Sequence, residues 1–368
     1  MILNKFWAEG FRNTDTAEIS FSPGVNLLHG KNAQGKTNAI EGIYIFSRGK
    51  SFRAGGECEL VGKGRDGFRI GISYTDKNGE NSLEYASFGR QRQRKKNGYK
   101  LSSVTEMIGS FKSVLFFPDD LALIKEGPEA RRAFLNVAIS QCEPTYVSLY
   151  ADYKRANEAK GGIIKSLSRG GYFDREEILS WSLTMAEYAS YIYTMRREYI
   201  EAIKPHIKKQ AEEISGGRDT LDISYKADII PENEDRLSVK AAYEKRFTEN
   251  IEKEIIAGTT LYGPTRDDIE ITISGLEARR YASQGQQRSA VLAMKLAEGE
   301  VIKEKFGEYP VFLFDDVLSE LDFERRKYIL SGLSDRQIII TSCSDDEIKN
   351  IADRVIEVKE GRYVSSYR

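Results

Sequence analysis

The sequence predicts an α/β protein with a helical lobe inserted into it. A G-x-x-x-x-G-K-T pattern lies between a strand-like and a helix-like segment near the start of the chain. Apolar segments typical of buried parallel strands return after Leu261. Between them the sequence is charged and helix-periodic. We therefore predict a discontinuous α/β domain, residues 1–117 and 258–368, and a helical lobe, residues 118–257.

Composition excludes several classes of protein. The 368 residues include 55 Lys and Arg against 56 Asp and Glu, so the net charge is −1 and any nucleic-acid site must be a local patch. Two histidines and three distant cysteines, Cys58, Cys142 and Cys343, predict no metal cluster. The start lacks a signal-peptide pattern, and no apolar run approaches the roughly 18 residues of a membrane span. We expect a cytoplasmic protein.

The early motif is a phosphate-binding P-loop. Val25–His29 before it is strand-like, and 38–46 after it has an apolar helical face, which disfavours the alternative of a Gly-rich turn with a surface lysine. Its lysine would reach the β- and γ-phosphates and its threonine hydroxyl would ligate Mg²⁺. The predicted nucleotide-binding residues are Gly30, Lys31, Asn32, Ala33, Gln34, Gly35, Lys36 and Thr37.

A buried strand ending in two carboxylates supplies what a P-loop lacks. Phe314 is followed by Asp315 and Asp316. We predict that Asp315 holds Mg²⁺ and that Asp316 orients the water that attacks the γ-phosphate, with Lys36 as the third catalytic group. The alternative, an acidic strand end facing solvent, is less favoured because buried strands rarely end in adjacent acids.

A second phosphate site is predicted at Ser283–Arg288, before an amphipathic helix from Ser289 to Lys303. A hydroxyl and Gly-flanked N–H groups at a helix start bind anions. Because one nucleotide does not need two such helix starts, we predict that Ser283, with Gly285 and Gln286, acts in trans on the nucleotide of a second copy. The alternative is an ordinary helix cap.

The densest basic run precedes an Asn-Gly turn at Asn97. If extended, it places its arginines on one face. Two interpretations are equally favoured: a surface that contacts DNA phosphates, and a charged edge strand that prevents edge-to-edge pairing. The run contains Arg90, Arg92, Arg94, Lys95 and Lys96.

Taken in order, these motifs resemble the Walker A, signature and Walker B elements of ABC-type ATPases, with Ser319–Asp322 as the D-loop. Within that class the chain resembles the RecF family, bacterial recombination proteins related to SMC heads. The family-like segments are 10–13, which contains Arg12, and 35–41, 50–53, 263–268 and 283–288. The resemblance covers the whole chain.

The resemblance implies an ABC-type P-loop ATPase head, a mixed sheet flanked by helices, with a short helical arm. It implies an ATP-dependent homodimer that binds gapped DNA and single-strand/double-strand junctions and supports RecA loading with RecO and RecR in DNA repair. It also adds Arg12 to the nucleotide-binding residues.

Departures from the ABC pattern predict slow hydrolysis, with ATP acting mainly as a dimerisation switch. Asp316 replaces the usual glutamate and is one methylene shorter. No histidine follows Thr341, which leaves Ser342 or Cys343 at the switch position, and Asp119 or Asp120 stands near the missing Q-loop glutamine. The alternatives are an ATPase subunit of a membrane transporter, which normally keeps both missing residues, and an SMC-type structural tether.

Overall fold

The computed structural model describes residues 1–171, 175–318, 321–332, 335–343 and 346–367. The chain divides into two compact units. The first consists of Met1–Leu121, His206–Thr220 and Ser283–Arg368, and the second of Ala122–Pro205 and Leu221–Ala282. The first unit is therefore made of three separate segments of the chain.

The helices and strands are given in three parts, in chain order. The first part contains β1 (Ile2–Phe11), β2 (Thr14–Ser20), β3 (Val25–His29), α1 (Lys36–Arg48), β4 (Gly67–Asp76), β5 (Gly79–Phe88), β6 (Gln91–Lys96), β7 (Tyr99–Lys100), α2 (Val104–Ile108) and β8 (Ser113–Phe116). The middle part contains α3 (Ala122–Lys125), α4 (Pro128–Cys142), α5 (Thr145–Leu167), α6 (Arg175–Ser215), β9 (Leu221–Lys226), α7 (Arg236–Glu249), α8 (Ile251–Ala257), β10 (Asp268–Ile273), β11 (Leu276–Glu277) and α9 (Ala278–Tyr281). The last part contains α10 (Gln284–Phe306), β12 (Val311–Asp315), α11 (Phe323–Gly332), β13 (Ile338–Ser342), α12 (Asp346–Ile351), β14 (Arg354–Lys359) and β15 (Arg362–Tyr367).

Two six-stranded sheets form the first unit. One is antiparallel, in the order β2-β1-β4-β5-β6-β7. The other has the order β15-β14-β3-β13-β12-β8, in which all neighbours are parallel except β14 and β15. Parallel strands end at one edge of the sheet, so the carboxyl ends of β3, β12 and β13 lie side by side, and these ends carry the predicted site.

Helix α1 holds the P-loop in place because both sheets pack against it. One apolar cluster contains Phe6 from the antiparallel sheet, Ile40 and Ile43 from α1, and Leu313 and Ile339 from the mixed sheet, all nearly fully buried. Strands β12 and β13 are buried along their whole length, and they are apolar up to the polar residues at their carboxyl ends. The observed fold is the predicted one: mixed sheets flanked by helices, with an inserted helical unit.

The second unit is mainly helical but contains its own three-stranded antiparallel sheet, in the order β11-β10-β9. The long helix α6 continues through Pro205. Asn250 separates α7 from α8.

The unit boundaries differ from the predicted ones in three places. Residues 118–121 belong to the first unit, although the sequence places them in the helical lobe. Residues 206–220 belong to the first unit, although we assigned them to the helical lobe. Residues 258–282 belong to the second unit, although their strand pattern led us to assign them to the α/β domain. The strand at Asp268–Ile273 does exist, but it pairs with β9 of the second unit along its whole length. A strand pattern does not reveal its partner strand.

Candidate nucleotide-binding site

The P-loop joins β3 to α1, as predicted. Gly35 takes a left-handed conformation with φ 113° and starts the helix. The Lys36 side chain is buried and bends back over the loop, where its Nζ donates to the carbonyl oxygens of Gly30 at 2.7 Å and Lys31 at 3.1 Å. An ammonium group held at the centre of the loop, beside the start of a helix, favours binding of an anion such as a nucleotide phosphate.

The carboxylate of β12 meets the P-loop threonine directly. Thr37 Oγ1 donates to Asp315 Oδ1 at 2.9 Å, and Thr341 Oγ1, from the end of β13, donates to the same oxygen at 2.9 Å. Burial raises the pKa of Asp315; the hydrogen bonds from Thr341 and Thr37 oppose this effect, and the nearby Asp316 charge adds to it. A bound cation would offset both the cost of burying the Asp315 charge and its repulsion by Asp316.

The pair fits Mg²⁺. A hydroxyl and a carboxylate oxygen are the hard ligands that Mg²⁺ prefers, and it normally takes few protein ligands beside water and phosphate oxygens. Thr37 and Asp315 would hold the ion. Asp316 stands next to them with a left-handed backbone, φ 54°, and its N–H donates to Thr341 Oγ1 at 2.9 Å.

Two hairpin turns hold the middle of the P-loop. The sequence gives no sign of these contacts. The N–H groups of Glu360 and Gly361 donate to the side chain and carbonyl oxygens of Gln34 at 2.7 and 2.8 Å. The other turn contributes Asn13, whose Nδ2 donates to the Gln34 carbonyl at 3.3 Å. Tyr363 OH donates to the carbonyl of Gly35 at 3.0 Å. The loop is thus held in shape by the protein itself.

Glu41 on α1 is the common hydrogen-bond acceptor of the charged groups beside the loop. Its fully buried carboxylate accepts two hydrogen bonds from Arg12, at 2.9 and 2.6 Å, and one from Arg53 at 2.6 Å. Ser51 also donates to it. Burial alone would raise the pKa of Glu41, but the hydrogen bonds from Arg12, Ser51 and Arg53 hold it below its usual value. The sequence identified Glu41 only as part of a family-like segment.

Arg12, predicted to bind nucleotide, therefore has protein partners. Besides Glu41, its Nη1 donates to the carbonyl oxygen of Glu59 at 2.8 Å. Its backbone is left-handed, with φ 57°, at the turn that also presents Asn13 to the P-loop. Its role toward a nucleotide stays a prediction.

The predicted signature serine caps α10. Ser283 Oγ accepts the N–H of Gln286 at 3.3 Å, and Gln286 Oε1 accepts the N–H of Ser283 at 2.9 Å. The alternative of a helix cap is thus correct for the single chain. Ser283 is exposed, and a capping hydroxyl that accepts a hydrogen bond can still donate its own proton to a phosphate. Its action in trans stays a prediction.

The positions that replace the usual Q-loop and switch residues differ in their surroundings. Asp120 is buried, and its carboxylate lies 3.3 Å from Lys295 Nζ and accepts the N–H of Phe117 at 2.9 Å. Burial raises the pKa of Asp120, against the opposite effect of Lys295. Asp119 is exposed. At the end of β13, Thr341 bonds the Asp315 carboxylate, and the assignment of Ser342 or Cys343 to the switch position stays a prediction.

The predicted D-loop, Ser319–Asp322, lies partly outside the described residues. Ser319 and Glu320 are not described, whereas Leu321 is buried and Asp322 is exposed at the start of α11.

The basic run forms β6 and turns at Asn97–Gly98, as predicted. Three of its side chains have contacts within the protein. Arg92 Nε donates to Glu57 at 2.5 Å, the Arg94 guanidinium lies 4.8 Å from the centre of the Tyr85 ring, and Lys96 Nζ donates to Ser110 Oγ at 3.1 Å. Arg90 lies in the preceding turn and Lys95 on the opposite face of β6. The structure thus divides the run into two groups.

The segment 263–268, which the sequence left without a function, organises the second unit. The fully buried Arg196 donates to Asp267 at 2.8 Å and to the carbonyl of Pro264 at 2.6 Å. Tyr225 also donates to Asp267, and Arg131 binds both oxygens of Asp268 at 2.7 and 2.9 Å. These contacts give the segment a structural role.

Among the residues that the structure describes, none of the helices is both long and apolar enough to cross a membrane.

Comparisons with known proteins give the family of the chain. The sequence matches the RecF/RecN/SMC N-terminal domain family over residues 2–365. It is 36% identical over 354 residues to the DNA replication and repair protein RecF of Thermoanaerobacter sp. (strain X514), covering 95% of this chain and 96% of the relative. It is 35% identical over 371 residues to the protein of the same name from Clostridioides difficile (strain 630), covering 99% and 98% of the two chains.

Solved structures give the same answer. The structure of the recombination mediator protein RecF with ATPrS, from the RecFOR pathway, superposes with a TM-score of 0.92 at 33% identity and covers 99% of this chain and 97% of that one. An SMC head bound to the C-terminal winged-helix domain of ScpA shares the fold, with a TM-score of 0.57 at 16% identity. With its complete P-loop and Asp315 beside Thr37, the chain belongs to the RecF family of ATP-binding DNA replication and repair proteins.

Proposed function

We propose that this chain is an ATP-dependent clamp of recombinational repair. ATP with Mg²⁺ binds at Lys36, Thr37 and Asp315, and two chains associate as Ser283 of each contacts the nucleotide of the other. The dimer then binds gapped duplex DNA in the cytoplasm and supports RecA loading together with RecO and RecR.

The observation that carries this proposal is a second helix start of the anion-binding kind in the first unit, at Ser283, separate from the P-loop. In the P-loop, the Lys36 ammonium lies over the loop carbonyl oxygens, and the Thr37 hydroxyl contacts the Asp315 carboxylate. Ser283 heads a different helix, and its hydroxyl is exposed. Nothing in the chemistry of one nucleotide requires the second element, whereas two copies of the chain would use both.

In this proposal the chain's own residues divide the work. Lys36 neutralises phosphate charge, and Thr37 and Asp315 would place the metal, which supplies charge stabilisation at the transferred phosphoryl group. Asp316 accepts the proton of the attacking water. Because its carboxylate is one methylene shorter than the usual glutamate, we infer slow hydrolysis and a long-lived dimer. The transporter alternative loses support because the chain belongs to the RecF family.

Sedimentation velocity with and without ATP and Mg²⁺ tests the clamp. The chain should be a dimer only with nucleotide. Ser283→Arg should block dimerisation but leave nucleotide binding intact, whereas Lys36→Ala should weaken both. Asn78→Arg, which adds the same charge at an exposed turn between β4 and β5, is the control. A chain that stays monomeric in saturating ATP and Mg²⁺ would refute the proposal.

DNA binding needs its own test, and the two groups within the basic run supply matched variants. Arg90→Gln with Lys95→Gln removes two charges, and Arg92→Gln with Arg94→Gln removes two that contact Glu57 and Tyr85. If the run follows DNA phosphates, the first pair should lower the slope of log affinity against log salt by about 2 in fluorescence anisotropy on gapped duplex. An unchanged slope in both pairs would assign the run to edge protection.

A further inference from the structure

Arg325, near the start of α11, connects two parts of the site that lie far apart in sequence. Its Nε donates to Ser289 Oγ at 2.8 Å and its Nη2 to the carbonyl of Gly285 at 3.1 Å, both in the first turns of α10. Its Nη1 donates to the Asp322 carboxylate, and the Asp322 side chain also accepts the N–H of Arg325 at 3.0 Å. One guanidinium thus joins the signature helix to the segment that follows β12.

The chemistry of these contacts requires arginine. Three different acceptors lie around one planar group, and a guanidinium presents five N–H donors in a fixed geometry, whereas an ammonium donates from a single nitrogen. The Arg325 side chain is only 17% exposed, so water does not readily replace these bonds. The link is therefore specific in geometry and partly shielded.

A second contact holds the same helix start without arginine. Gln286 Nε2 donates to Asp219 Oδ1 at 2.8 Å, and Asp219 lies in the 206–220 segment. Asp219 therefore positions the signature element, while Arg325 both positions it and joins it to Asp322. The two contacts allow positioning and coupling to be separated by experiment.

We propose that Arg325 is a positioning residue that couples the two nucleotide sites of the dimer. This inference rests on the proposed function, in which Ser283 serves the partner's nucleotide. β12 ends at Asp315, which serves the chain's own nucleotide, and Asp322 follows seven residues later in the sequence. A change at a chain's own site then reaches Gly285 and Ser289 through one side chain, and from there the partner's site.

The test compares Arg325→Gln with Arg326→Gln. Both remove one charge from neighbouring positions, but Arg326 donates from its Nε to the carbonyl of Leu321. The readouts are the binding of a fluorescent ATP analogue at protein concentrations that keep the chain monomeric, the dimer dissociation constant in ATP and Mg²⁺, and the Hill coefficient of ATP-dependent dimerisation.

Arg325→Gln should leave nucleotide affinity of the monomer unchanged, weaken the dimer about tenfold, within the usual range of coupling between sites, and lower the Hill coefficient toward 1. Asp322→Asn should act in the same direction, and the double variant should be no weaker than Arg325→Gln alone because both remove one link. Asp219→Asn should weaken the dimer without lowering the Hill coefficient. Arg325→Lys should recover only part of the loss.

Three results would overturn the coupling: equal effects of Arg325→Gln and Arg326→Gln, an unchanged Hill coefficient, or full additivity with Asp322→Asn. If Arg325→Gln does not fold, Arg325→Lys and Asp322→Asn carry the same comparison. Failure of the proposed function is distinguishable, since in that case the unmodified chain itself stays monomeric in ATP.

Discussion

The Glu41→Gln variant tests whether the buried carboxylate of α1 holds the surroundings of the P-loop together. Removing its charge leaves Arg12 and Arg53 without their common partner. Breaking a buried ion pair costs about 3–5 kcal/mol, and we expect a loss of about 3 kcal/mol in the free energy of unfolding. The lower end applies because the two arginine side chains are 20% and 36% exposed and can be hydrated again.

The pH dependence has a definite sign. The pKa of Glu41 is lowered in the folded chain from its usual 4.5, so its stabilisation is present above that pH and is lost as the pH falls through the folded value. The difference between the unmodified chain and Glu41→Gln should therefore be constant near neutral pH and shrink below about pH 4.5.

Urea unfolding, monitored by tryptophan fluorescence, can measure this loss of stability in the first unit alone. The chain has two tryptophans, so a Trp181→Phe background leaves Trp7, which lies in β1 of the first unit. Glu18→Gln is the matched control, since the Glu18 and Lys5 side chains are 63% and 52% exposed and such a pair contributes about 1 kcal/mol or less. A loss for Glu41→Gln no larger than that of Glu18→Gln, or a difference that widens toward acid pH, would refute the reasoning.

Three further predictions follow. Asp267→Asn should lower the free energy of unfolding of the second unit by about 3–5 kcal/mol, since its partner Arg196 is fully buried. Trp181 fluorescence in a Trp7→Phe background measures this loss. A loss smaller than that of Glu41→Gln would contradict the prediction. Asp315→Asn should weaken the Mg²⁺-dependent part of ATP binding by at least about tenfold, since loss of even an outer-shell partner of a metal has that cost. Affinity in EDTA is the control. Gly361→Ala should weaken nucleotide binding because its Cβ would lie 2.4 Å from the Asn13 carbonyl oxygen, whereas Gly98→Ala, with similar φ and open space, should not.

The sequence predicts the parts of the site that are local. The P-loop, its strand and its helix are contiguous, and the Asp315 strand is a short apolar run, so both are visible in a single sequence. Thr341 as the second hydroxyl on Asp315, and Glu41 as the centre of a charge cluster, depend on neighbours that only the folded chain brings together. The same reason explains the misplaced 258–282 segment, because its strand gives no sign of pairing with β9.

Because the hairpin turn at Glu360 and Gly361 holds the P-loop, the loop can be ordered only after the end of the chain has been synthesised. Glu360 and Gln34 are separated by 326 residues, and β3 pairs on both sides with strands from the last part of the chain. Contacts of such sequence separation form slowly and late. A chain still emerging from the ribosome would carry a complete P-loop sequence but no ordered loop, so ATP affinity should appear only when translation is nearly finished.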